Sequence, residues 1–406
     1  MESIITSLLD NDMYKFSMQS AAFELFPDAM VEYALIFRHE AGLPAGFRVC
    51  PSGFVAELRR QIDALCELKF AEDEIDYLCQ ICPFLSSEYL DWLLKFKLSS
   101  LNIRVMDNGV AMPGIRIQGS WIDTILFEVP LMAIISELYF KMSPPSRRRP
   151  IAVLDQQDMG KAVALSEVAP FVEMGTRRRF SKSNQKRVVS ILKNYGGMNF
   201  MGTSNVLLAR DLGIKPIGTM AHEWIMFHAA AYGYRSANQK AMEGWEDVFG
   251  ENHDMLLALT DTYTTGTFFE NMDPGNGIPT DIFDWKGFRQ DSGDPSVFIS
   301  RLRRFFFENQ APMGNKTVVF SDGLSVDDVQ GIHGQVEGDF KDVYGIGTHF
   351  SNDVGAKPLN MVIKMTAADP CGCGYMIPTV KLSDTKGKHT GRSEVVENCK
   401  WQLGIE

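Results

Sequence analysis

The sequence predicts an α/β protein in which a parallel β/α barrel follows an N-terminal α/β domain. Three observations carry this. Short apolar runs of strand length alternate with helical patterns between residues 171 and 346, the signature of parallel β/α construction. Several of these runs end in polar or glycine-bearing tetrads: Met174-Gly175-Thr176-Arg177, Gly202-Thr203-Ser204-Asn205, Gln290-Asp291-Ser292-Gly293, Ser321-Asp322-Gly323-Leu324 and Gly345-Ile346-Gly347-Thr348. Loops at the carboxyl ends of parallel strands are where a barrel assembles its site. Last, apolar segments at 358–363 and 375–382 read as strands that return to the first domain. The expected division is residues 1–130 with 355–406 for the N-terminal domain, and 131–354 for the barrel.

In chain order, residues 3–26 predict a helix with Ile4, Ile5, Leu8, Leu9, Met13, Phe16 and Phe23 as its apolar positions, interrupted by the polar run Asp10-Asn11-Asp12. A strand is expected at 31–37. Residues 53–68 form an amphipathic helix with Phe54, Leu58, Ile62 and Leu65 on one face. Helices at 71–82 and 87–96 are separated by Pro83. Asp107-Asn108-Gly109 between two β-prone runs signals a hairpin. Residues 121–139 form a buried helix interrupted at Val129-Pro130, and the proline- and arginine-rich 142–150 is a linker or loop. The barrel then takes strands at 171–174, 213–217, 255–259, 285–289, 317–320 and 343–346, with helices at 184–192, 206–212 and 237–248.

The chain has 406 residues, too many for one small core. Its 45% hydrophobic and 22% charged residues are ordinary for a folded domain protein. A net charge of −11 argues against nucleic-acid binding, although a local basic pocket can still take an anionic small molecule. No apolar run reaches the roughly 18 residues of a membrane span, and the acidic opening residues do not resemble a signal peptide, so a cytoplasmic protein is expected. Seven cysteines, an odd count, suit a reducing compartment. Cys79 and Cys82 could join Cys371 and Cys373 in a zinc site, but their helical apolar setting favours small buried hydrophobes instead.

His222 follows the Gly218-Thr219 break just past a predicted strand, where α/β folds place chemistry. Taken alone, a histidine capping or packing at a helix start is the favoured reading. Gly175 to Arg179 places three guanidiniums after a strand, matched to phosphate or simply solvated. In the turn Arg289-Gln290-Asp291-Ser292-Gly293-Asp294, Asp294 before Pro295 reads as a helix cap, which leaves Asp291 for chemistry. The turns at Ser321-Asp322-Gly323 and Gly347-Thr348 suit phosphate held by backbone N–H groups. Tyr14 could stack on a flat ring or pack between helices.

In order, the segments LLDNDMYKFSMQ, GTRRRFS, GTSNVLLAR, GTMAHEW, RQDSGDP, VFSDGL, YGIGTHFSND, KPLNMVIK and KLSD resemble nicotinate phosphoribosyltransferases of the bacterial type over nearly the whole chain. The resemblance implies an N-terminal α/β domain beside an irregular α/β barrel, the type II phosphoribosyltransferase fold. It implies phosphoribosyl transfer from phosphoribosyl pyrophosphate to nicotinate, a step of NAD salvage. ATP use would be coupled through a phosphohistidine at His222, with Mg²⁺ accompanying the phosphates and no direct protein metal ligands assigned. By the same resemblance, Tyr14 would stack on the pyridine ring, often from a neighbouring subunit of a homodimer. Arg289 would pair with the nicotinate carboxylate, and Ser204 replaces an acidic residue of nicotinamide-using relatives. Arg177 and Arg178 would meet phosphates, with Arg179 as a further candidate. Asp291 would face the ribose, and Ser321, Asp322, Gly323, Gly347 and Thr348 would surround the 5-phosphate. Two positions depart from the pattern: Met174 stands where phenylalanine is usual, and His349 where arginine is common. A quinolinate-using relative, a non-catalytic binding protein and a general sugar-phosphate barrel are the competing readings.

Overall fold

The structure is a computed structural model that describes residues 1–38, 49–145, 148–276, 282–385 and 387–405; residues 146 and 147 of the expected linker lie outside them. Its strands are β1 (Met30–Phe37), β2 (Ile103–Asn108), β3 (Ala111–Ser120), β4 (Phe171–Glu173), β5 (Phe200–Thr203), β6 (Leu257–Leu259), β7 (Gly287–Gln290), β8 (Thr317–Phe320), β9 (Lys341–Ile346), β10 (Met361–Asp369) and β11 (Ile377–Pro378).

The N-terminal sheet runs β11-β10-β1-β3-β2, all antiparallel. Its centre is β1, with β3 on one side and the late strand β10 on the other, so the chain's tail does return to the first domain. The second sheet is parallel, in the order β5-β4-β9-β8-β7-β6. Its strands are only three to six residues long, and their carboxyl ends carry the polar tetrads. Most of the structure is therefore as predicted: the hairpin, the strand at 31–37 and the helices at 206–212 and 237–248 fall within a residue or two of expectation.

Four expectations need correction. The first helix spans only Met13–Leu25. Residues 10–12 leave the helix because their side chains bond elsewhere: Asp10 pairs with Arg179, Asn11 Nδ2 donates to Leu126 O, and Asp12 accepts from Ser204. Competition from such short polar side chains is why they weaken helices. Residues 213–217 are not a strand. They make a single bridge, Thr203 with Pro216, and Pro216 has no N–H to extend a ladder. The segment still lies along the free edge of β5, through Thr203 N to Lys215 O (3.2 Å) and Ile217 N to Thr203 O (2.9 Å). In 121–139 the break falls at Ile125–Phe127, whereas Pro130 sits in the first turn of the helix Glu128–Met142, where its missing N–H is tolerated. Finally, the helix Ile151–Ser166 was not predicted, because buried Asp158 and Lys161 interrupt its apolar face.

The two sheets are joined through aromatic packing. The ring of Trp121, just after β3, stacks on Phe227 at 4.0 Å and on Trp224 at 5.8 Å, and both partners belong to the helix His222–Tyr232. The same helix packs on β10. The helix that begins with His222 is thus wedged between the barrel and the N-terminal sheet.

Candidate active site

Four segments converge at the carboxyl ends of the parallel strands. Tyr14 lies in the first turn of Met13–Leu25, and Arg177 in the 3-10 turn Thr176–Arg178 after β4. His222 opens its helix after the Gly218-Thr219 break, and Arg289 and Asp291 end and follow β7. Gly218 makes the convergence possible: a Cβ there would lie 2.6 Å from the backbone nitrogen of Tyr14. The result is a cavity of ≈ 50 Å³ lined by Tyr14, Arg177, His222, Arg289 and Asp291, together with Glu128, Glu223 and Lys364. Every one of these residues belongs to one chain. Tyr14 reaches the cavity from the N-terminal domain. Its hydroxyl is buried without a hydrogen-bond partner.

His222 is 3% exposed. Its Nδ1 is 3.0 Å from Thr262 Oγ1, and its Nε2 sits 3.0 Å from Asp291 Oδ2 and 2.9 Å from Lys381 Nζ. Lys381 is in turn paired with Asp261 at 3.2 Å, and Asp261 accepts from Ser292 Oγ at 2.5 Å. Burial, and then the Lys381 cation, push the His222 pKa down to about 4. The imidazole is therefore neutral near pH 7, with both ring nitrogens hydrogen-bonded. Burial also pushes up the Asp291 carboxyl, but Arg289, His222 and Lys381 outweigh it and hold the group well below the ordinary carboxylate range. The cavity thus pairs a neutral imidazole with a fixed carboxylate.

This has a consequence for stability. His222 and His228 both have folded pKa values of about 4, below the ordinary 6.5. Between those values the unfolded chain binds protons that the folded chain refuses, so their contribution is intact above pH 6.5 and is lost as pH falls toward 4. Urea unfolding from pH 7 to pH 4 should show falling stability, and the slope should be shallower in His228→Gln.

The cations gather on one side. Arg178 is lowered to about 10 by burial and by neighbouring Arg177 and Arg38, and Lys364 falls to about 7, chiefly by burial. Cations crowded at a cavity are suited to hold an anion. Arg179 does otherwise. It turns inward, fully buried, and forms a two-pronged pair with Asp10 at 2.7 and 2.9 Å, so of the three successive arginines only Arg177 lines the cavity, while Arg178 sits in the field of Arg177, Arg38 and Asp322.

The expected phosphate turns lie next to the cavity but do not line it. Ser321 Oγ donates to Asp291 Oδ1 (2.7 Å) and accepts from Arg289 Nε (3.1 Å). Asp322 pairs with Lys388 at 2.8 Å. Gly323 has a φ of +66°, and Gly347 precedes the short helix Thr348–Ser351. His349 is held through its backbone oxygen by Lys161, while its Nε2 has no partner. Ser204 is 4% exposed, and its hydroxyl donates to Asp12 Oδ1 at 2.8 Å rather than facing the cavity. Asp294 accepts from Ser296 N at 2.8 Å and caps Pro295–Glu308, the role read for it in the sequence.

Residues near the site that carried no assigned role in the sequence include Arg38, Glu128, Glu173, Glu223, Asp261, Lys364 and Lys381. Lys364 and Lys381 lie inside quoted motifs, VIK and KLSD. Glu173 is the last residue of β4, fully buried, and its carboxyl accepts from Gly175 N (2.7 Å), Thr203 Oγ1 (2.6 Å) and Gln185 Nε2 (3.1 Å). It thereby ties together two of the glycine-bearing turns. Burial pushes its pKa up to about 7. Among the described residues no group of three or more His, Cys, Asp or Glu side chains is arranged to hold a metal ion, and none of the helices is long and apolar enough to cross a membrane. Cys82 is buried against Met13 Sδ, while Cys79, Cys371 and Cys373 are exposed free thiols.

Comparison with known proteins completes the description. The sequence model of the nicotinate phosphoribosyltransferase (NAPRTase) family matches residues 169–406, and that of the NAPRTase N-terminal domain matches residues 9–136. The chain is 41% identical over 403 residues to a nicotinate phosphoribosyltransferase of Chromohalobacter salexigens, covering 99% of each chain, and 36% identical to that of Methanosarcina mazei, covering 99% of this chain and 98% of the relative. Its structure is similar to the crystal structure of nicotinate phosphoribosyltransferase from Porphyromonas gingivalis, with a TM-score of 0.92 and 36% identity over 99% of this chain and 100% of that one. The enzyme from Vibrio cholerae gives a TM-score of 0.86 at 33% identity, over 99% of this chain and 95% of that one. An N-terminal antiparallel sheet, a parallel barrel-forming sheet and one shared cavity are thus found in a chain that belongs to the nicotinate phosphoribosyltransferase family.

Proposed function

We propose that the chain transfers the phosphoribosyl group of phosphoribosyl pyrophosphate to nicotinate, forming nicotinate mononucleotide and pyrophosphate as a step of NAD salvage, with ATP hydrolysis coupled through phosphorylation of His222. The observation that carries this reading is the neutral, buried His222 bonded to Asp291 in one cavity with Tyr14, Arg177 and Arg289.

In the transfer, the bond from the anomeric carbon to pyrophosphate breaks and the pyridine nitrogen forms the new bond. Positive charge grows on the ribose ring, as in glycoside transfer. Asp291 supplies the fixed negative charge beside it. Arg177, Arg178 and Lys364, with Arg38 beside them, meet the departing pyrophosphate, and Tyr14 holds the pyridine ring flat and aligned. Arg289 offers its guanidinium to the nicotinate carboxylate. Mg²⁺ fits as a companion of the phosphates, because Asp291 and Asp322 offer hard carboxylate oxygens that would help hold it there. It would neutralise phosphate charge there. In the coupled step, a ring nitrogen of His222 attacks the γ-phosphorus of ATP and ADP departs. The phosphorylated ring adds roughly two negative charges beside Lys381 and Asp291. That charge changes how the site holds Mg²⁺ and phosphates, and its hydrolysis returns the neutral ring.

The test uses labelled ATP, Mg²⁺, phosphoribosyl pyrophosphate and either nicotinate or nicotinamide. Nicotinate mononucleotide should form, and the protein should carry an acid-labile, base-stable label. His222→Asn should lose the label entirely and keep some ATP-independent transfer. Label that persists in this variant puts the acceptor elsewhere, and turnover of nicotinamide alone overturns the substrate.

A further inference from the structure

Lys15 is a fully buried lysine that does not line the cavity. Its Nζ lies 2.5 Å from Glu223 Oε2 and 2.6 Å from Glu128 Oε2. Each carboxylate then leads to the site. Glu223 immediately follows His222 in the chain, and its other oxygen accepts from Tyr33 Oη (2.5 Å) and Trp121 Nε1 (2.7 Å) of the N-terminal domain. Glu128 Oε1 accepts from Arg177 at 3.2 Å. Lys15 itself directly follows Tyr14 in the chain, and its ammonium lies 5.5 Å from the centre of the Tyr14 ring, with the Arg177 guanidinium at 5.8 Å. Tyr14 is thus one peptide unit from this lysine, His222 one ion pair and one peptide unit, and Arg177 two ion pairs through Glu128.

A buried ammonium is costly to desolvate and is kept only where paired charges hold it. Two carboxylates for one lysine is more than neutrality needs, unless the second also serves Arg177. That is the arrangement here: two carboxylates bridge two cations in alternation, Glu223–Lys15–Glu128–Arg177. Such alternation resists sliding, because moving any member brings like charges together.

We propose that Lys15 is a positioning residue that fixes Tyr14, Arg177 and His222 relative to one another through Glu128 and Glu223, without touching substrate. This rests on the reading of those three residues as the ones that handle substrate. The barrel supplies Arg177 and His222, and the N-terminal domain supplies Tyr14. An interdomain ion network is therefore what sets the distance between the stacked pyridine and the ribose-facing groups.

Two variants test this, with ATP-independent transfer kinetics, His222 labelling and thermal melting as readouts. Glu223→Gln removes one link without stranding a charge, since Lys15 keeps Glu128. It should melt within a few degrees of the parent, lower kcat and labelling, and leave KM for nicotinate unchanged, because Tyr14 remains tied. Lys15→Met cuts both links and should lower kcat/KM on the order of 10²-fold, as a misplacement of about 1 Å can do, with a raised KM for nicotinate. If Lys15→Met does not fold, Glu223→Gln alone decides. Variants that melt lower but keep the parent's kcat and KM per folded molecule make Lys15 a stability residue and overturn the proposal. Arg177→Met and His222→Asn check the underlying reading separately: unchanged kinetics in both would remove that reading, whatever the Lys15 variants do.

Discussion

Asp291→Asn is expected to lower kcat for nicotinate mononucleotide formation on the order of 10²–10³-fold, about 3–4 kcal/mol of transition-state stabilisation. The expectation comes from what the substitution keeps. Asparagine has the same shape, and its carbonyl oxygen can still accept from Ser321 Oγ, now 2.7 Å from Asp291 Oδ1. The fold around β7 is therefore preserved, and only the charge is lost. In the native site that charge is secured by Arg289, His222 and Lys381 against the effect of burial, so it is present throughout the neutral range without reorganisation. A preorganised carboxylate matters most where positive charge develops, and that is the ribose ring at the transition state. KM for nicotinate should change little, because the pyridine is held by other groups. Steady-state kinetics with a melting curve checks this: an unchanged kcat at unchanged stability would place the ribose elsewhere.

The order of motifs carried the family in the sequence, and periodicity carried most of the elements. What was legible was local. Asp294 before Pro295 announces a cap by spacing alone, and the structure places it as one. The Asp107-Asn108-Gly109 turn announces a hairpin for the same reason. What was not legible depended on partners far away in the chain. Asp10 and Arg179 are 169 residues apart, and nothing local separates Arg179, turned into the core, from its neighbours Arg177 and Arg178. The polar run at 10–12 is visible as an interruption, but the tertiary bonds that hold it outside the helix are invisible in the sequence. Lys15, Glu128, Glu173 and Lys364 share this feature: each is an ordinary charged residue until folding removes its water. Ser204 shows the opposite error. Its motif was placed correctly at the end of β5, but which way its hydroxyl turns depends on Asp12, from another domain.

Arg289→Leu should separate the two pyridine substrates. A guanidinium has five N–H donors, and here Nε bonds Ser321 Oγ, one nitrogen bonds Met220 O at 3.1 Å, and the other faces Asp291 at 3.5 Å. By count, one N–H on each terminal nitrogen is left for a carboxylate. Loss of a partly buried charge pair of this kind costs about 3 kcal/mol, so kcat/KM for nicotinate should fall on the order of 10²-fold. Nicotinamide, which has no carboxylate, should lose much less, and the preference for nicotinate should shrink by the difference. The same variant makes a second, independent prediction. Arg289 is the strongest influence lowering the Asp291 pKa, so its removal raises that pKa toward the ordinary carboxylate value. Protonation of Asp291 then begins at higher pH, and the acid limb of the kcat profile moves upward. If nicotinate and nicotinamide lose activity equally while the acid limb shifts, Arg289 acts through Asp291 alone. If the preference collapses while the acid limb stays fixed, it acts on the substrate carboxylate alone. A guanidinium paired with Asp291 and with N–H groups left over predicts both effects together.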